Sequence, residues 1–253
     1  MKLYVVAGHG KGRFGRRDNG ASFNGTNERD EVVEIAKELI VIMQQQGVKT
    51  EAIGVDERLT LSQKVKKVAD SVWKPEDVLV SIHINSASSE AAKGVEGWYM
   101  DGNPASSDLT DWITSKVSDE TGLTNRGIKP DTSNRHKRLA IVRDVPVPAC
   151  LIECGFLTNE FERGMLTDPQ RDDAFAIGIA KGIMAYFDKL FNEPQSPEWY
   201  SDVPMDVWYA SDLKLCVDEG IFKIPSNGKF NPTPIRAEQA TIMARHLRNH
   251  HNL

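Results

Sequence analysis

Apolar residues follow two rhythms along this chain. Short β-branched runs read as strands: Lys2 to Ala7, Val48 to Ile53, Val78 to Ile84, Val95 to Met100, Leu139 to Val142 and Ala149 to Glu153. Between them, apolar positions recur at helical spacing. Val32, Ile35, Ala36, Leu39, Ile40 and Met43 predict one helix, closed by Gly47. Leu61, Val65, Val68, Ala69 and Val72 predict a second. A third runs from about Ser107 to Glu120 and stops at Gly122, and a last one covers about Pro169 to Leu190. Strands alternating with helices imply an α/β layered domain, although the order of strands cannot be read from the alternation.

The rhythm breaks at Asn192. The stretch Asn192 to Trp199, NEPQSPEW, is rich in proline and polar residues and reads as a linker. Beyond it, apolar-periodic stretches at about Val207 to Val217 and Ala237 to Leu247 flank a Pro-Ser-Asn-Gly turn. The expected organisation is therefore a domain over 1–191, a linker over 192–199 and a small α-helical module over 200–253. So short a module can barely bury a core alone.

Composition narrows the picture. A formal net charge of -5 over 253 residues argues against nucleic acid as a partner. The three cysteines, Cys150, Cys154 and Cys216, make no disulfide framework and lack CxxC spacing, so they read as reduced thiols. No apolar run is long enough to span a membrane. The run before Gly8 is too short for a signal-peptide core, so the expected setting is synthesis in the cytoplasm without an export signal.

Candidate chemistry sits at strand ends. His83, in Ser81-Ile82-His83-Ile84-Asn85, lies where a buried strand emerges from the sheet. Ligands of open α/β sheets bind at such carboxyl ends, yet a lone histidine there is more often a hydrogen-bonded structural residue. His9 follows the first strand, between Gly8 and Gly10, which permit a sharp turn and a close approach. Two imidazoles leaving two strand ends can converge as metal ligands. A carboxylate is the expected third ligand. Glu28, Asp30 and Glu31 all qualify by position, but acids in a first helical turn also simply complement the helix dipole, with Asn27 as N-cap. Glu153 ends the run Ala149-Cys150-Leu151-Ile152. A carboxylate there is costly to desolvate, so it is either functional or salt-bridged, with Arg143 the candidate partner. His136 lies in a polar, basic loop and reads as solvated.

Four stretches, VVAGHGKG, TNERDEVVEIAKEL, LVSIHINSA and RLAIVRDVPVPACLIECGFLTNEFE, resemble in order the motifs of zinc-dependent N-acetylmuramoyl-L-alanine amidases, the wall-cutting enzymes of phage endolysins and bacterial autolysins. The resemblance covers roughly residues 1 to 190. It implies a mixed twisted sheet flanked by helices, a phosphorylase/hydrolase-like amidase fold. It also implies one Zn²⁺ per chain. In the family pattern the metal-binding glutamate precedes an alanine by eight positions and a leucine by eleven; Ala36 and Leu39 both select Glu28. The resemblance thus implies His9, Glu28 and His83 as zinc ligands and Glu153 as the catalytic carboxylate, acting on peptidoglycan between the lactyl group of muramic acid and L-alanine. The family's Asp-Pro before Gly-His-Gly is replaced by Val6 and Ala7, so any supporting role of that aspartate is missing. A zinc peptidase cutting within the stem peptide and a non-catalytic wall-binding protein are the alternatives; all four candidate residues being present argues against the latter.

The module at 200–253 resembles an S-layer homology motif through Ser201-Asp202-Val203-Pro204, Trp208-Tyr209, Glu219-Gly220-Ile221-Phe222, Gly228-Lys229-Phe230-Asn231-Pro232 and Arg236-Ala237-Glu238. Ile235 replaces the threonine of the family's Thr-Arg-Ala-Glu, which removes a capping box worth about 1 kcal/mol. The resemblance implies secondary cell-wall polysaccharide as a partner, with Trp208 and Arg236 as contacts. Such motifs generally come in threes. A single copy leaves apolar faces uncovered; either separate chains associate to cover them, or the copy folds back on the first domain and binds weakly or not at all. Without an export signal, the expectation is an endolysin acting at the wall after release through a membrane hole.

Overall fold

The computed structural model describes residues 1–134, 138–168, 172–192, 213–214 and 216–217. The chain divides into two compact units, Met1–Glu193 and Pro194–Leu253. The elements that build the candidate site all belong to the first unit.

In chain order these are β1 (Lys2–Ala7), a hairpin of β2 (Gly10–Lys11) and β3 (Arg17–Asp18), a second hairpin of β4 (Ser22–Phe23) and β5 (Thr26–Asn27), and the helix α1 (Glu28–Gln45). There follow β6 (Lys49–Ile53), α2 (Leu61–Ala69), β7 (Val78–Asn85), β8 (Val95–Tyr99), α3 (Pro104–Thr121) and β9 (Asn125–Pro130). The unit closes with the single turn α4 (Ala140–Arg143), then β10 (Ala149–Phe156), α5 (Glu160–Leu166) and α6 (Asp172–Tyr186).

Six strands form one mixed sheet in the order β6-β1-β7-β10-β8-β9. The first four run parallel, β8 is antiparallel to β10, and β9 is parallel to β8. Alternate residues of β1 serve opposite faces, as a pleated strand requires. Leu3, Val5 and Ala7 join a core built with α1, α3 and α6. Tyr4 and Val6 join a second core with Val68 of α2 and with Ile141 and Val142 of α4. With both faces covered, β7 and β10 can be almost continuously apolar. The expected mixed sheet flanked by helices is what the chain forms.

Three local expectations change. Leu139 to Val142 is a helical turn, not a strand; four apolar residues carry no period that separates the two. Asp131 decides the outcome by accepting from the Leu139 amide (3.2 Å) and from the Arg143 guanidinium (2.7 Å at Nε), clamping both ends of the turn. Asn125–Pro130, polar enough to hide its strand character, is the edge strand β9. The last helix spans Asp172–Tyr186, and just after it Asp188 turns left-handed at φ 52°.

Candidate metal centre and its neighbouring carboxylate

β1 and β7 are adjacent and parallel, so their C-terminal ends meet at one edge, with Ala7 opposite Ile82. His9 leaves β1 after Gly8, whose amide donates to the Ile82 carbonyl (2.9 Å). His9 sits in the left-handed region at φ 53°, a costly conformation for a residue bearing Cβ. Two buried cations hold this turn. Lys64 donates to the carbonyls of Ala7 and His9, and Arg29 donates to that of Gly8 (3.0 Å). Burial, with Arg29 nearby, lowers the Lys64 pKa to about 8. Gly8 is compulsory here, because a Cβ would lie 2.8 Å from the His83 ring.

Glu28 opens α1 and reaches both imidazoles. Its Oε2 lies 3.0 Å from Nε2 of His9, and its Oε1 lies 3.0 Å from Nδ1 of His83. The Ala21 amide (2.9 Å) and the Ile84 amide (3.0 Å) donate to the same two oxygens. One ligand atom from each of His9, Glu28 and His83 falls within 4.8 Å of the others. Burial alone would raise the Glu28 pKa, but the two histidines hold it well below the usual carboxylate range. Burial keeps His83 below the ordinary imidazole value despite Glu28. At His9 burial also opposes the charged ring, yet Glu28 and Asp18 outweigh it and raise the pKa.

Two imidazoles and one ionised carboxylate are a fitting donor set for zinc. Space is reserved around it: a Cβ at Gly20 would collide with the Glu28 carboxylate and the His9 ring. A cavity of about 630 Å³ opens beside His9 and His83. Asp18, on β3, accepts from or is paired with Nδ1 of His9 at 3.0 Å, which leaves Nε2 facing Glu28. Such an outer carboxylate fixes a ligand's tautomer and ring orientation.

Glu153 stands on β10, directly opposite His83 of β7 on one side and Glu96 of β8 on the other. Cross-strand partners share a face of the sheet. Its Oε2 is buried without a hydrogen-bond partner among the described residues. Burial raises its pKa well above the carboxylate range, and the charges of Glu28 and Glu96 add to the effect against Lys129. The salt bridge to Arg143 weighed above does not form, since Arg143 pairs with Asp131. Glu96, by contrast, accepts from Arg126 (2.7 Å), Lys129 (2.7 Å) and Asn85 (3.0 Å).

The sequence reading missed Asp18, Lys64, Arg29 and Glu96. Two of these carried a signal. Lys64 falls on the apolar stripe of α2, between Leu61 and Val68, where a cation must be buried with partners. Arg29 is a cation in the first turn of a helix, against the dipole. His136, Trp208 and Arg236 lie outside the described residues.

Fold and site together define an α/β protein with a His–Glu–His cluster able to hold a metal at the carboxyl ends of its strands and a buried acid on the adjoining strand. A family model for N-acetylmuramoyl-L-alanine amidase matches residues 3–185, and the chain belongs to that family. It is 26% identical over 208 residues to a germination-specific N-acetylmuramoyl-L-alanine amidase of Bacillus subtilis, spanning 76% of this chain and 82% of that one. The crystal structure of an N-acetylmuramoyl-L-alanine amidase from Clostridium difficile 630 is similar at 28% identity and TM-score 0.64, over 74% of this chain and 97% of that one. The catalytic domain of CwlV, an amidase of Bacillus (Paenibacillus) polymyxa var. colistinus, is similar at 31% identity and TM-score 0.61, over 75% and 100% respectively. Family and relatives together support peptidoglycan amidase activity.

Proposed function

We propose that the chain is a zinc-dependent amidase of peptidoglycan that cuts between the lactyl group of muramic acid and L-alanine. The observation that carries this reading is Glu153, set directly opposite His83, one of three clustered ligand candidates, with one buried oxygen that has no hydrogen-bond partner among the described residues. His9, Glu28 and His83 would hold one Zn²⁺ per chain. Zinc there supplies Lewis acidity, bringing the pKa of water to about 7 and polarising a carbonyl. Asp18 orients His9. Glu153 accepts a proton from the attacking water at its carboxylate and returns it to the leaving nitrogen of L-alanine. Its raised pKa brings it nearer the working pH, which suits a group that takes up a proton and gives it back.

Product analysis of digested, purified peptidoglycan tests this reading. New L-alanine amino termini without new reducing sugars are the expected products, and a chelator should stop their release. Other amino termini would replace the amidase by a stem-peptide peptidase.

We further propose that the module at 200–253 binds secondary cell-wall polysaccharide through Trp208 and Arg236, with self-association supplying avidity. Its resemblance to an S-layer homology motif supports this. Full-length chain should be retained on walls carrying that polysaccharide and not on stripped walls, and light scattering of the same sample reads its mass. The setting proposed is that of an endolysin made in the cytoplasm and acting at the wall after release. Expression inside a host should lyse cells only when a membrane hole-former is supplied.

A further inference from the structure

The pairing of β10 with β8 ends at Glu153, whose cross-strand partner is Glu96. Beyond that pair β10 bulges, and its register against β7 shifts between Glu153 and Phe156. Gly155 takes a φ of 151° inside the bulge, and Leu157 then donates to the Asn85 carbonyl (2.8 Å) as the chain returns to β7. On the β8 side, the amides of Gly94 and Phe156 lie past the last pair, and Glu162 of α5 takes both. Its Oε1 accepts from Gly94 (2.6 Å) and its Oε2 from Phe156 (2.7 Å), with the residue only 1% exposed. Glu162 is the third residue of α5, where an acid usually folds back onto the amide of the capping residue. Here the cap, Asn159, accepts from the Glu162 amide (3.1 Å), but its own amide donates to the Phe156 carbonyl (3.0 Å). The Glu162 side chain is thereby released to bridge two strands. A carboxylate fits the seat, since both contacts are N–H donors.

We propose that Glu162 is a positioning residue for Glu153: its carboxylate holds the split between β8 and β10 and so fixes where the Glu153 side chain is presented beside His83. The assignment rests on the catalytic reading of Glu153. Bulges beside active sites re-aim a side chain or end a pairing, and this one begins at the residue after Glu153. Asn85 holds it on the β7 side and Glu162 on the β8 side. The same carboxylate pins Gly94, two residues before Glu96, which faces Glu153 across the strands. Removing one acceptor would leave a buried amide unpaired, a costly state that the bulge relieves by shifting. A displacement of about 1 Å at a reacting group can cost about 10²-fold in rate. The ligand cluster is carried by α1 and the ends of β1 and β7, and the hydrogen bonds of Glu162 reach none of these. Metal binding should therefore not depend on Glu162.

The test measures kcat, KM and zinc content for the full chain carrying Glu162→Gln, on a soluble muramoyl peptide. The new amide keeps one acceptor and turns a donor towards the other backbone amide. kcat should fall by about 10- to 100-fold, while KM and zinc content stay near wild type. Glu162→Asp keeps the charge but shortens the reach, and as the milder variant should move kcat in the same direction. Ile179→Ala, in the core on α6, is the control for lost stability: with its denaturant midpoint lowered at least as far, its kcat should stay near wild type. The double variant is decisive. With Glu153→Gln already in place, Glu162→Gln should take little more from the residual rate, because two residues acting as a unit do not add. Unchanged kcat, zinc loss in both Glu162 variants, an equal fall of kcat in Ile179→Ala, or fully multiplying losses in the double variant would each overturn the proposal. The catalytic reading fails separately: it does so if Glu153→Gln alone turns over at close to the wild-type rate, and the positioning role then falls with it.

Discussion

Glu28 and Glu153 are the same residue type on either side of the β7 edge, and they are opposites. Glu28 has every oxygen engaged, by two imidazoles and two backbone amides. Glu153 keeps one oxygen with no partner among the described residues. Burial bears on both. In Glu28 the partners overcome it and the pKa falls; in Glu153 burial prevails, with the charges of Glu28 and Glu96 adding to it, and the pKa rises. The saturated carboxylate suits a ligand, which must be anionic. The unsatisfied one suits proton transfer, which needs a pKa nearer the working pH. Environment, not residue type, divides the two roles.

The sharpest break in that contrast is Glu28→Ala. Metal content should drop from about one zinc per chain to almost none after dialysis against a chelator, and wall lysis with it. Asp30→Ala and Glu31→Ala should keep the metal. Equal metal loss in all three would mean that first-turn charge, rather than Glu28, holds the ion.

Next in size is Glu153→Gln. Zinc content should stay at the wild-type level while the rate of L-alanine release falls by roughly 10²–10⁴-fold. Near-normal turnover would make Glu153 a structural residue.

Asp18→Ala acts one step out. Losing the partner of His9 Nδ1 should weaken metal affinity by about 10–100-fold, with saturating zinc restoring much of the activity. Competition with a chromogenic chelator measures it, and an unchanged affinity would leave the contact without consequence.

The smallest effect concerns stability. In metal-free protein, Glu153→Gln should be more stable than wild type at neutral pH, because the amide carries no charge to be desolvated there. The folded pKa of Glu153 is raised, so wild type is at full stability below the unfolded carboxylate value, about 4.3. It loses stability as pH climbs from there through the folded value. The variant has no such loss, so the gap should open with rising pH and close in acid. Denaturant midpoints across that range read it, and a gap that does not vary with pH would contradict the burial of an unpaired carboxyl.

Legibility differed between fold and site. The alternation of strands and helices was plain because strands buried on both faces are continuously apolar and helices carry their own period. The edge strand β9 was not, since Asn125-Arg126-Gly127-Ile128-Lys129-Pro130 faces too little core to leave a pattern. At the site, His9 and His83 were visible as strand-end histidines, and Glu153 as an acid closing an apolar run. Glu28 was visible only as one of three first-turn acids until the family pattern selected it.

The amino-acid sequence by itself determined the α/β class, the positions of the strand ends and the residue types waiting there, because these follow from periodicities of two and of 3.6 within a few neighbours. Tertiary structure alone decided who meets whom. Glu28 joins His83 across 55 positions, Lys64 holds the His9 turn across 55, and Arg143 turns to Asp131 and not to Glu153. Strand order decided that Glu153 lies beside His83, and the unpaired oxygen followed from what else could reach it. Long-range partners, and the desolvation that comes with them, depend on the packing of the whole sheet, and no local pattern encodes them.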